Sequence, residues 1–63
     1  MILDFYIYRQ ANEFKIYAIN SNSQPAKSID LMRLYAGPFD SMHESKEYLH
    51  KNNLIIGGSN ERE

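Results

Sequence analysis

Leu31-Met32-Arg33-Leu34-Tyr35-Ala36-Gly37-Pro38-Phe39-Asp40-Ser41 reads as a strand, a turn and the start of a helix within eleven residues. Strand side chains alternate between faces. That alternation puts Met32, Leu34 and Ala36 on one side and Leu31, Arg33 and Tyr35 on the other. Gly37-Pro38 is expected to stop the strand, because proline brings no N–H to a ladder and glycine turns freely. Ser41 followed by Glu44 has the spacing of a capping box, in which hydroxyl and carboxylate satisfy the free amides of a first helical turn, with Asp40 as the rival cap.

Upstream, Ile2 to Tyr8 alternates with Leu3, Phe5 and Ile7 on one face and Ile2, Asp4, Tyr6 and Tyr8 on the other, and is read as a strand. Gln10-Ala11-Asn12-Glu13 has the length of a hairpin connection without the Asn-Gly or Asp-Gly pair that would fix its turn type. Phe14 to Ile19 alternates again, Phe14, Ile16 and Ala18 against Lys15, Tyr17 and Ile19. Asn20 to Ser28 is polar, contains Pro25 and reads as a long solvated loop. Downstream, a helix is expected from about Met42 to Asn52, with Met42, Leu49 and either Ser45 or Tyr48 facing inward. Leu54-Ile55-Ile56 then adds a short C-terminal strand or packs beneath the helix, and Gly57-Gly58 ends order. The expected architecture is α+β: a three-stranded antiparallel sheet followed by one helix on one face. Residues 1–58 form a single small domain and 59–63 a flexible tail.

Chain length limits what this fold can bury. A domain of 63 residues removes only about 60% of its unfolded surface from water. There is no cysteine to supply a disulfide or a thiolate zinc site. The formal charge of −1 argues against strong nonspecific attraction to a phosphate backbone. Met1-Ile2-Leu3-Asp4 lacks the basic start and apolar run of a secretory signal, and no apolar run approaches the roughly 20 residues of a membrane span. A soluble, cytoplasmic protein with no membrane partner is expected.

His43, Glu47 and His50 share one helical face, but three ligands on an exposed helix make an open and weak metal site, and the face is read as solvated. No metal, cofactor or catalytic residue is assigned. Met32, Leu34, Phe39 and Met42 are read as core between the third strand and the helix. The helix is expected over Leu3, Phe5, Ile7, Phe14, Ile16 and Leu34, which carry no charge, leaving Asp4, Lys15 and Arg33 in water. The uncovered face then holds Tyr6, Tyr8, Lys15, Tyr17, Arg33 and Tyr35, with Ile2 and Ile19 beside them. Tyrosine and arginine are enriched at binding hot spots, so these six residues are the candidate binding site.

Arg33-Leu34-Tyr35-Ala36-Gly37-Pro38-Phe39-Asp40-Ser41 with a following helix resembles one half of a SPOR domain, the peptidoglycan-binding family in which a strand ends in Gly-Pro-Phe before a helix. The likeness spans about twenty residues; that family pairs two such halves, and here a hairpin stands where the helix of the first half would be. The order of three strands then a helix is also similar to the DNA-arm-binding domains of tyrosine integrases, whose sheets enter the major groove and carry more Lys and Arg than this one. Neither resemblance carries the functional assignment. The expected function is a small noncatalytic protein-interaction module, an inhibitor or adaptor of bacterial or phage type, binding another protein or a second copy of itself through the tyrosine face. The alternative is a nucleic-acid-binding sheet in which the tyrosines stack on bases and Lys15 and Arg33 meet phosphates.

Overall fold

Two eight-residue strands joined by a two-residue turn open the chain in the computed structural model, which describes residues 2–54. They are β1 (Leu3–Gln10) and β2 (Glu13–Asn20), paired antiparallel from Leu3↔Asn20 to Gln10↔Glu13. Ala11 has φ 54 while Asn12 is not left-handed, the pattern of a type II′ turn, whose twist suits a hairpin even without glycine. Two further strands follow, β3 (Ser28–Ile29) and β4 (Met32–Phe39), joined by Asp30 and Leu31 at φ 49 and 69. Positive φ at both central positions marks a type I′ turn. The helix α1 spans Met42–Lys51. The sheet order is β2-β1-β4-β3, which makes β1 a central strand.

The α+β class is as expected, with four strands in place of three. The additional strand is β3, only two residues long and therefore too short to show an alternation in the sequence. Leu31, expected as a strand residue, is a turn tip. Gly37-Pro38 does not end the strand either: β4 runs through it to Phe39. The pairing with β1 explains how. Tyr8 faces Leu34, Ile7 faces Ala36 and Phe5 faces Phe39, so β4 carries one extra residue at Tyr35 and another at Gly37-Pro38. Bulges tolerate proline because the ladder is already interrupted there.

These bulges reassign the faces of β4. Met32 packs with Tyr6 and Tyr8, and Leu34 lies opposite Tyr8, whereas Ala36 and Phe39 join the helix side with Ile7, Phe14 and Leu49. The expected grouping of Met32, Leu34 and Ala36 on one face is thereby corrected. Of the four residues read as core beneath the helix, Met32 is buried on the other face, Phe39 is half-buried, and Leu34 and Met42 are exposed.

Helix α1 covers Ile7, Phe14 and Ile16 as expected, but Leu3 is exposed and Leu34 is on the opposite side. Its inward residues are Ser45, Tyr48 and Leu49; Ser45 is fully buried, and its Oγ donates to the Met42 carbonyl at 2.7 Å. Ser41 is the N-cap, its Oγ accepting from the Glu44 N–H at 3.2 Å. At the other end Asn53 has φ 59, its N–H reaches the His50 carbonyl, and the Leu54 N–H reaches that of Leu49 at 2.8 Å. This is a Schellman motif, completed by the packing of Leu54 against the cluster that contains Leu49. Leu54 thus belongs to the helix stop. The remainder of the Leu54-Ile55-Ile56 strand expectation, and the tail at 59–63, lie outside the described residues. Among the described residues no helix is long and apolar enough to cross a membrane.

Gly37 adopts φ 135, and a Cβ there would stand 2.6 Å from Tyr6 Cδ2 and 3.1 Å from the Phe5 carbonyl oxygen. Gly37→Ala is expected to lower stability by about 2–3 kcal/mol, from the combined backbone strain and ring displacement. Urea unfolding is the measurement; an unchanged midpoint would mean that the bulge does not press on Tyr6.

Candidate functional site

The six residues expected on one open face do not share it. Tyr6 and Tyr8 are buried, Tyr8 completely, and Tyr17 is half-buried. Only Lys15, opposite Tyr8, is exposed on that side. Arg33 and Tyr35 belong to the other side, since Arg33 pairs with Arg9 and the Tyr35 ring packs edge-on against Phe14 at 5.2 Å. The expectation that a helix on one face leaves the tyrosines open is therefore corrected. The chain between β2 and β4 covers them instead.

That cover is built from specific contacts. Tyr8 Oη donates to the Ala26 carbonyl at 2.6 Å, and the Tyr8 and Tyr17 rings meet edge-on at 5.1 Å. Ile29 and Met32 complete the cluster with Tyr6, Tyr17 and Ile19. The segment after β2 is turned back by an Asx-type bond from the Asn22 N–H to Asn20 Oδ1 at 2.8 Å and by the Ser23 N–H on the Asn20 carbonyl. The Leu34 N–H donates to the Lys27 carbonyl at 2.9 Å, tying the end of the segment to β4. Burial pushes the Tyr8 hydroxyl above its ordinary pKa, with smaller contributions from Tyr6 and Tyr17. It stays a neutral donor to Ala26.

What remains open is one end of the sheet. Arg9 pairs with Arg33 on antiparallel strands, and Ala11 lies two residues after Arg9 while Leu31 lies two residues before Arg33, so both hairpin turns emerge at the same end. The end of α1 arrives there as well, because Asn53 and Leu54 line a groove with Arg9, Ala11, Phe14 and Tyr35. All four non-glycine residues with left-handed backbone among the described residues, Ala11, Asp30, Leu31 and Asn53, belong to this end. Aspartate and asparagine tolerate that conformation; alanine and leucine are strained in it. Leu31 is also 83% exposed, and Tyr35, four residues on in β4, is 41% exposed.

Charge gathers at the same place. Arg9 Nε donates to the Ala11 carbonyl at 2.9 Å, and the guanidinium carbon lies 5.8 Å from the Phe14 centroid and 6.0 Å from that of Tyr35, within cation–π range. Arg33 stands directly opposite Arg9 on β4. Among the described residues neither arginine forms an ion pair; the one pair found is His43–Glu47 at 3.7 Å on α1. That pair and His50 line a shallow groove on the helix, and no cluster of three metal-ligating side chains occurs among the described residues. Arg9, Ala11, Leu31, Leu34 and Asn53 were not marked by the sequence, since only the register of β1 with β4 and the two turn geometries bring them together.

Comparison of this chain with known protein families, with curated proteins and with solved structures finds no match. The resemblances to SPOR and integrase arm-binding domains therefore rest on the sequence pattern alone.

The strain at Leu31 is measurable. Leu31→Gly supplies the residue that a type I′ turn favours after aspartate, and is expected to raise stability by about 0.5–1 kcal/mol after the added freedom of the unfolded chain is deducted. The urea midpoint should move up with an unchanged slope. A lower midpoint would mean that the leucine side chain stabilises the fold from its exposed position.

Proposed function

We propose that the protein is a small noncatalytic protein-interaction module, an inhibitor or adaptor, that binds its partner through the end of the sheet carrying both hairpin turns. Leu31 supplies apolar contact, and Tyr35 with Arg9 and Arg33 supplies the aromatic and charged anchors that dominate binding energies. The observation carrying this reading is Leu31, a large apolar residue kept 83% exposed at φ 69. Folding alone would favour glycine there, and strain of this kind gathers at binding sites. We place the module in the cytoplasm, where a chain without cysteine has no disulfide to form.

A nucleic-acid strand fits this arrangement less well. Stacking of successive bases needs open aromatic faces. Tyr6 and Tyr8 turn theirs inward, and Lys15 and Arg33 point to opposite sides of the sheet.

A photo-crosslinking amino acid at position 31, compared with one at the exposed helix position 46, tests the proposal in cells that make the protein. Position 31 should give a discrete adduct and position 46 none. An adduct of twice the 7.4 kDa chain mass would identify the partner as a second copy. Absence of an adduct at position 31, or an equal one from position 46, would contradict the proposal.

A further inference from the structure

Arg9 and Arg33 face each other across β1 and β4 and line one groove of about 420 Å³ with Ala11, Leu34 and Tyr35. Directly opposed residues on antiparallel strands have Cα atoms about 4.5–5.5 Å apart, so two guanidinium groups lie within reach of a single small anion. Like charges at such a pair repel and weaken the sheet. Among the described residues no carboxylate stands within 4 Å of either guanidinium.

Arg9 is held in place before any ligand arrives. Its Nε–H is committed to the Ala11 carbonyl, and its guanidinium carbon lies 5.8 Å from the Phe14 centroid and 6.0 Å from that of Tyr35. The terminal Nη groups are left to donate elsewhere. A guanidinium with fixed orientation loses little entropy on binding a planar, two-oxygen acceptor, and such charge-assisted contacts are the stronger class of hydrogen bond.

We propose that the Arg9–Arg33 pair is an oxyanion site whose ligand is the carboxylate side chains of an acidic segment in the partner protein. The inference rests on the contact surface proposed above and names its chemistry. Carboxylates fit better than a phosphate polymer. Two arginines on a chain of net charge −1 neutralise too few phosphates for the counterion release that drives nucleic-acid binding. Leu31, exposed two residues before Arg33, offers apolar contact to the neighbouring side chains of a peptide.

The test is an NMR titration of the ¹⁵N-labelled full chain with acetylated tetraglutamate, with acetylated tetraglutamine as the neutral control and inorganic phosphate as the competing oxyanion. Tetraglutamate should move the Nε–Hε signals of Arg9 and Arg33, and the amides of residues 31–35, along saturable curves; tetraglutamine should not. Arg33→Gln should weaken binding by at least about tenfold while the remaining amide spectrum is unchanged. Unsaturable drift shared by all exposed groups, or an unaltered titration in Arg33→Gln, would overturn the site. Saturation by phosphate and not by tetraglutamate would overturn the carboxylate ligand. Failure of the titration while an adduct still forms at position 31 would remove the acidic segment and leave the contact surface. A saturable titration without that adduct would do the reverse.

Discussion

Three consecutive residues of β1, Tyr6-Ile7-Tyr8, are all buried, and the rest of the molecule is arranged around that fact. Neighbouring strand residues point to opposite faces, so burying all three requires cover on both sides of the sheet. The described residues have one helix to offer. The second cover is made from the connection between β2 and β4, held down by the Tyr8 hydroxyl on the Ala26 carbonyl. Two thin cores result, Ile7-Phe14-Leu49 under the helix and Tyr6-Tyr8-Met32 under the returning segment. Tyrosine suits the second core because its ring fills space while its hydroxyl satisfies the Ala26 backbone carbonyl.

The elements that were legible in the sequence are those governed by local pattern. Alternation places β1 and β2, the Ser41 spacing to Glu44 places the helix start, and of the six uncharged residues expected beneath the helix Ile7, Phe14 and Ile16 pack there. Bulges defeat the same pattern in β4. Each adds one residue and reverses the inside–outside sense beyond it, so Met32 and Ala36, four residues apart and nominally on one face, end up in different cores. Gly37 is the position that permits the second reversal, its φ of 135 bringing backbone against the Tyr6 ring where no side chain fits. The polar composition of Asn20 to Ser28 likewise conceals its role, because the segment meets the Tyr8 hydroxyl with the backbone carbonyl oxygen of Ala26, which composition does not mark.

The candidate site was less legible than the fold for a related reason. Tyrosine and arginine content points to a surface, but which surface depends on what the chain does with its own loop. With the tyrosine face occupied, the accessible constellation moves to the sheet end, where Ala11 and Leu31 accept backbone conformations that glycine would take more readily. Charge gathers at the same end. Arg9 and Arg33 meet through the β1–β4 register, and the first bulge turns Tyr35 toward Phe14, under the Arg9 guanidinium. Turn strain, an opposed pair of cations and an exposed leucine thus coincide at the place left free by the packing of β1.

Hydroxyl-radical footprinting of the intact protein tests this account most directly, because ring oxidation reports solvent access residue by residue. Tyr35, 41% exposed, should be oxidised readily along with Leu31, whereas Tyr8, with no exposure, should react at least about tenfold more slowly until the chain is unfolded. Oxidation of Tyr8 in the folded protein at a rate comparable to Tyr35 would contradict the account, since the segment between β2 and β4 would then not be covering the sheet.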